Sequence, residues 1–149
     1  MIPFMLDVTD KPVVIVGGGE VATRRVHKLL DAGAQVTVIA PELSAQLEAW
    51  EAAGEITAHR RGVRKEDLVP AWLVMEHTGS AAVQKMVEAT CLQHRIWCLL
   101  GGNPADSTFW NMATAHHGDL TVAVSAHGNP RRAKQAAETL IKHARQQDL

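Results

Sequence analysis

The sequence predicts an α/β fold, a Rossmann-like doubly wound parallel sheet followed by a short C-terminal strand–helix dimerisation segment. Three observations carry this. A β-branched run, Val13-Val14-Ile15-Val16, enters Gly17-Gly18-Gly19 and then an amphipathic stretch. Strand and helix patterns alternate from there to about residue 112, as βαβ units do. From Ala113 the alternation stops, leaving a tail too small for a core of its own.

The first strand, 13–16, is uniformly apolar, as strands covered on both faces are. After it, Val21, Ala22, Val26, Leu29 and Leu30 recur at helical spacing, and Gly33 stops the helix. Residues 35–39 supply a second strand. A helix over 44–53, stopped by Gly54, leads to a short strand at 56–59 and a turn or short helix at 65–68. The next strand is 72–75, and the helix over 81–94 carries Val83, Met86, Val87 and Thr90 on one side. A buried strand at 97–100, with Trp97 read as core, ends in the turn Gly101-Gly102-Asn103-Pro104. Beyond residue 113, His116-His117-Gly118-Asp119 reads as a turn, 120–124 as a strand and 131–147 as a helix. The expected division is a Rossmann domain over 1–112 and a segment, 113–149, that docks on the sheet or pairs with a second copy.

With 15 Lys and Arg against 16 Asp and Glu, the net charge of −1 disfavours nucleic acid as a partner. No apolar run reaches membrane-spanning length and no basic leader opens the chain, so neither a membrane nor a signal peptide is expected. Cys91 and Cys98 form no CxxC, and two cysteines make no disulfide framework, which fits a reducing cytoplasm. Adjacent histidines without an i, i+4 partner predict no metal site.

A strand, three glycines and a helix together bring backbone amides against a dinucleotide pyrophosphate. Gly17 allows the tight turn, Gly19 lets the backbone approach, and Ala22 is the small residue where helix meets strand. With Gly18, Glu20 and Val21 they form the expected cofactor-binding run, at the positive end of the helix. The rule expects an acid after the second strand. Ala40 and Pro41 stand there, and Glu42 just beyond is either the ribose partner or a capping residue. No arginine at that strand end offers itself to a 2′-phosphate, which favours NAD over NADP. Thr78 reads either as a residue facing the nicotinamide half or as an ordinary loop residue.

The chain resembles the N-terminal, NAD-binding part of siroheme synthases, the precorrin-2 dehydrogenase/sirohydrochlorin ferrochelatase family. The resemblance runs through Pro3-Phe4-Met5-Leu6-Asp7, 13–22, Leu29-Leu30-Asp31-Ala32-Gly33-Ala34 and Val36-Thr37-Val38-Ile39-Ala40-Pro41. It continues through Trp72-Leu73-Val74-Met75 with Thr78, 98–109 and Leu120-Thr121-Val122-Ala123-Val124-Ser125 with Gly128 and Pro130. It implies an NAD-dependent oxidation of precorrin-2 to sirohydrochlorin, iron insertion in some members, and a homodimer built from about Ala113 onward. On this resemblance, the family's further helical domain is expected to be absent.

The resemblance also places Gly102 where the family has its catalytic aspartate, Leu99 at its asparagine, and Gly79 and Ser80 at two further aspartates. Asp106, His116 and His117 are the candidate replacements for the lost base, with His127 a further histidine suited by its pKa. Trp110, Ser125, His127, Arg131 and Arg132 are the residues expected to receive the polycarboxylate tetrapyrrole. The alternative from another class is a catalytically impaired paralogue that binds NAD or tetrapyrrole as carrier, sensor or subunit. An unrelated small Rossmann module is the third reading.

Overall fold

A computed structural model of the chain describes residues 1–147. Two compact units are present, Met1–Phe109 and a second that begins at Trp110. The first unit alternates β1 (Pro12–Val16), α1 (Glu20–Asp31), β2 (Gln35–Ile39), α2 (Ala45–Ala52), β3 (Thr57–His59), α3 (Lys65–Leu68), β4 (Leu73–Glu76), α4 (Ala81–His94) and β5 (Trp97–Leu100). All five strands are parallel, in the order β3-β2-β1-β4-β5. Parallel strands need crossovers, and the intervening helices cover both faces of the sheet.

Strand side chains alternate between the two covers. Val13, Ile15, Val36, Val38, Leu73, Met75 and Leu99 pack with Ala22, Val26 and Leu29 of α1 and Leu47 of α2. Val14, Val16, Ile39, Val74, Cys98 and Leu100 pack with Leu68 of α3 and Val87 and Cys91 of α4. That two-sided burial explains why the strands read as continuous apolar runs. Ser44 and Ser80 cap α2 and α4 by accepting from the Leu47 and Val83 amides. The free edge of β5 is occupied by residues 107 and 108. Thr108 exchanges bonds with Cys98 (Cys98 N to Thr108 Oγ1 2.7 Å, Thr108 N to Cys98 O 2.8 Å), and Ser107 Oγ accepts from Leu100 N at 2.9 Å.

Two expectations are corrected here. Trp97 is not core: it opens β5 and is 44% exposed, while Cys98, Leu99 and Leu100 behind it are buried. His116 and His117 are not turn residues. They end a strand, β6 (Ala113–His117), that pairs antiparallel with β7 (Leu120–Val124) across a two-residue loop, Gly118-Asp119. The second unit is this hairpin with α5 (Pro130–Gln146), whose Ala133, Ala137, Ile141 and Ala144 are buried. Residues 148–149 of the expected C-terminal segment lie outside the described residues.

Candidate functional site

The carboxyl ends of β1, β2 and β4 border a cavity of about 430 Å3, lined by Gly17, Gly18, Gly19, Ala40, Pro41, Glu42, His77 and Thr78. The strand order reverses between β1 and β4, the place where open α/β sheets bind ligands. The three glycines answer to different constraints. Gly17 has φ +123°, and a Cβ on it would stand 2.9 Å from the His77 carbonyl oxygen. A Cβ on Gly18 would collide with the Glu42 carbonyl oxygen, because the loop after β2 crosses the glycine loop there. The Ser44 amide seals that crossing by donating to the Gly18 carbonyl at 2.8 Å, and Thr23 Oγ1 lies 2.7 Å from Ser44 Oγ.

Gly19 is the exception, since a Cβ there would meet nothing within 4 Å. It is the N-cap of α1 and provides no side-chain acceptor for the first amides of the helix. An anion at this point satisfies those amides and faces the positive end of the helix. Glu42 is exposed at the rim, a carboxylate able to accept from ribose hydroxyls. The arginines after β3 are otherwise engaged: Arg60 pairs with Glu48 and Glu51 at 2.8 and 2.7 Å, and Arg61 forks onto Asp67. The residues that line the cavity include no arginine or lysine to pair with a 2′-phosphate, and Glu42 is a carboxylate that would repel one.

Two residues escaped the sequence reading. Glu76, 1% exposed, has an Oε1 that accepts from Thr78 N at 2.6 Å and from the Thr78 hydroxyl. The Thr78 hydroxyl is thus engaged with Glu76, and it also accepts from Ser80 N at 3.1 Å. His77 lines the cavity, and its Nε2 is buried without a hydrogen-bond partner among the described residues. Burial first, and the nearby Arg25 cation second, pull its pKa down to about 4 against the opposing pull of Glu76. The imidazole is neutral at physiological pH. No sequence signal marks either residue, because the burial of a polar strand end is a tertiary event.

Of the residues expected to bind cofactor, Gly17, Gly18, Gly19, Pro41, Glu42 and Thr78 share the cavity lining. Glu20 and Val21 are exposed on the first turn of α1 outside that lining, and Ala22 is 1% exposed in the core. Gly102 is exposed, and a Cβ on it would stand 3.5 Å from Gln84 Oε1, so a side chain fits. Asp106 is exposed and accepts from the Asn103 side chain. In the second unit, His116 Nδ1 lies 3.0 Å from Thr121 Oγ1, and His117 is half-buried. Trp110 is half-buried; Ser125, His127, Arg131 and Arg132 are exposed, the two arginines in the first turn of α5.

The family model described as "Putative NAD(P)-binding" matches residues 4–113. The chain is 33% identical over 141 residues to precorrin-2 dehydrogenase of Priestia megaterium, spanning 94% of this chain and 69% of that protein. It is 37% identical over 127 residues to siroheme synthase 3 of Aeromonas hydrophila, over 85% of this chain but only 27% of that longer protein. The solved structure titled "SirC, precorrin-2 dehydrogenase" superposes with a TM-score of 0.83 at 32% identity, covering 96% of this chain and 71% of that one. With its glycine loop, its five-stranded parallel sheet and these matches along most of its length, the chain belongs to the siroheme synthase N-terminal family of NAD(P)-binding proteins.

Proposed function

We propose that this protein is an NAD-dependent oxidoreductase that converts the tetrapyrrole precorrin-2 to sirohydrochlorin. The observation that carries the reading is the glycine-lined cavity at the strand-order reversal, in a chain that matches 69% of a precorrin-2 dehydrogenase. NAD+ supplies the hydride acceptor. Gly17, Gly18 and Gly19 with the uncapped start of α1 hold the pyrophosphate, and Glu42 takes the ribose hydroxyls. Oxidation also releases a proton, and a positioned base typically contributes about 10²–10⁴-fold. Asp106, His116 and His117 are our candidates for that base, since Gly102 has no group to offer.

We assign Trp110, Ser125, His127, Arg131 and Arg132 to the tetrapyrrole. Two arginines at the positive end of α5 are poorly placed for helix stability and well placed for carboxylates. We further propose the division of labour read from the sequence, a Rossmann domain over 1–112 and dimerisation through 113–149, with ferrous-iron insertion as a second activity. A cytoplasmic setting is supported by two free, buried cysteines. Among the described residues no helix is long and apolar enough to cross a membrane. The impaired-paralogue reading is not favoured, because the relatives named above are dehydrogenases and synthases.

The test is an anaerobic spectrophotometric assay of the purified protein with precorrin-2. Sirohydrochlorin that forms only when NAD+ is present supports the reading. Absence of turnover while both ligands bind would return the chain to a binding role.

A further inference from the structure

We infer that Arg25 is a substrate-binding residue of the first unit, its guanidinium taking a carboxylate of the tetrapyrrole; this deepens the proposed function and rests on it. Helical geometry carries the first step. Ala22, Val26 and Leu29 are the buried residues of α1 and turn that face to the sheet. Thr23 stands on the β2 flank of the helix, because its hydroxyl lies 2.7 Å from that of Ser44 beyond β2. Arg25 follows two residues later, about 200° round the axis, and so takes the opposite flank. On that side the strand next to β1 is β4. The Arg25 charge is accordingly felt by the imidazole of His77, the residue that follows β4.

The state of the cation carries the second step. Arg24 and Lys28 on the same helix are exposed, whereas Arg25 is half-buried. Arg61, half-buried too, forks onto Asp67. Arg25 meets no carboxylate and no hydrogen-bond acceptor among the described residues. Burial first, and the adjacent Arg24 cation second, lower its pKa with no anion opposing them, and a guanidinium stays charged all the same. Withdrawing an unpaired cation from water is costly, so one placed beside a ligand cavity points to a ligand that brings the anion. The pyrophosphate is served elsewhere, by the free amides at Gly19, about 9 Å up the helix axis. The cofactor half on the β4 side offers hydroxyls, a neutral carboxamide and, when oxidised, a cationic ring, none of which calls for a second cation. Hydride transfer brings the tetrapyrrole against that ring, and its carboxylates match the arginine fork with two parallel hydrogen bonds.

The experiment is anaerobic calorimetric titration of the full chain and its variants with sirohydrochlorin and, separately, with NAD+. Arg25→Met, an apolar side chain that fills much of the same space, is expected to weaken sirohydrochlorin ~10–100-fold, as loss of a charge-assisted fork does, while NAD+ stays within about twofold. Arg25→Lys keeps the charge without the fork and should recover part of the loss. Because Arg25 has no acceptor in the chain, the urea midpoint of Arg25→Met should not fall. If Arg25→Met does not fold, Arg25→Gln is read by the same contrast. A lower urea midpoint with unchanged sirohydrochlorin affinity marks a structural role and overturns the assignment. Weakening of NAD+ alone hands the cation to the cofactor and overturns it too, as does no change in either titration. A parent protein that binds NAD+ but no sirohydrochlorin removes the tetrapyrrole reading itself, and Arg25 falls with it.

Discussion

Gly18 and Gly19 are neighbours under opposite constraints, and single substitutions separate them. Gly18→Ala drives a methyl into the Glu42 carbonyl, so the loop after β2 must shift. A loss of ~1–3 kcal/mol in urea unfolding is expected, as for other overpacked positions. Gly19→Ala meets open space, so the urea midpoint should hold while NAD+ titration weakens. Glu42→Gln keeps the fold and removes a carboxylate from the rim, and the ratio of NADP+ to NAD+ dissociation constants should narrow. His77 gives a pH signature. Its folded pKa of about 4 lies below the ordinary 6.5, so the unfolded chain binds more protons between those values. Stability is therefore full above 6.5 and falls as pH drops toward 4. His77→Asn should remove that component of the slope when urea midpoints are compared across the window. The glycine constraints were legible as a strand–glycine–helix pattern, even if their separate causes were not. His77 was not legible, because Met75-Glu76-His77-Thr78 reads as a strand end running into a polar loop. Only the Thr78 fold-back onto Glu76 and the close approach of Gly101 make it a half-buried position.

Short elements in this chain depend on side chains more than on propensity. The four-residue α3 is held by Asp67, which receives the Arg61 fork and accepts from the Arg64 amide at 2.8 Å. The Arg61 hydrogen bonds, chiefly, lower the Asp67 pKa from 3.8 to about 2. That stabilisation is present above pH 3.8 and lost as the pH falls toward 2. Asp67→Ala should cost ~1–3 kcal/mol by urea unfolding at neutral pH, the range for a charged partner and a cap removed together. The hairpin β6–β7 shows where periodicity runs out. Ala113-Thr114-Ala115-His116-His117 alternates between half-buried and exposed, but with small and polar residues that give no apolar rhythm. Gly118, with φ +55°, closes the two-residue loop that turns these histidines from loop residues into strand residues. Trp97 erred the other way: its bulk suggested core, yet it is the first residue of its strand.

All residues lining the dinucleotide cavity lie in the first unit, before Phe109. A chain ending at Phe109 should therefore still bind NAD+ by titration and, lacking Arg131 and Arg132, should not turn over precorrin-2. Sedimentation of the full chain at micromolar concentration should give a dimer if the segment from Ala113 pairs two copies. A stable monomer would remove that role. The parallel architecture was readable because α1 and α4 each announced themselves between two apolar strands. The chemistry was less so, since a glycine at position 102 offers no group able to take a proton.

One feature of the sheet bears on how the protein behaves at high concentration. Open sheets end in strands with unsatisfied amides, which recruit neighbouring chains into laterally growing aggregates. Here the β5 border is already used by the hydroxyls of Ser107 and Thr108, and the opposite border, β3, is only three residues long. Strand-by-strand growth has little to template on at either end. Such a sheet can stay dispersed in a crowded solution while leaving its side-chain surfaces free for self-recognition.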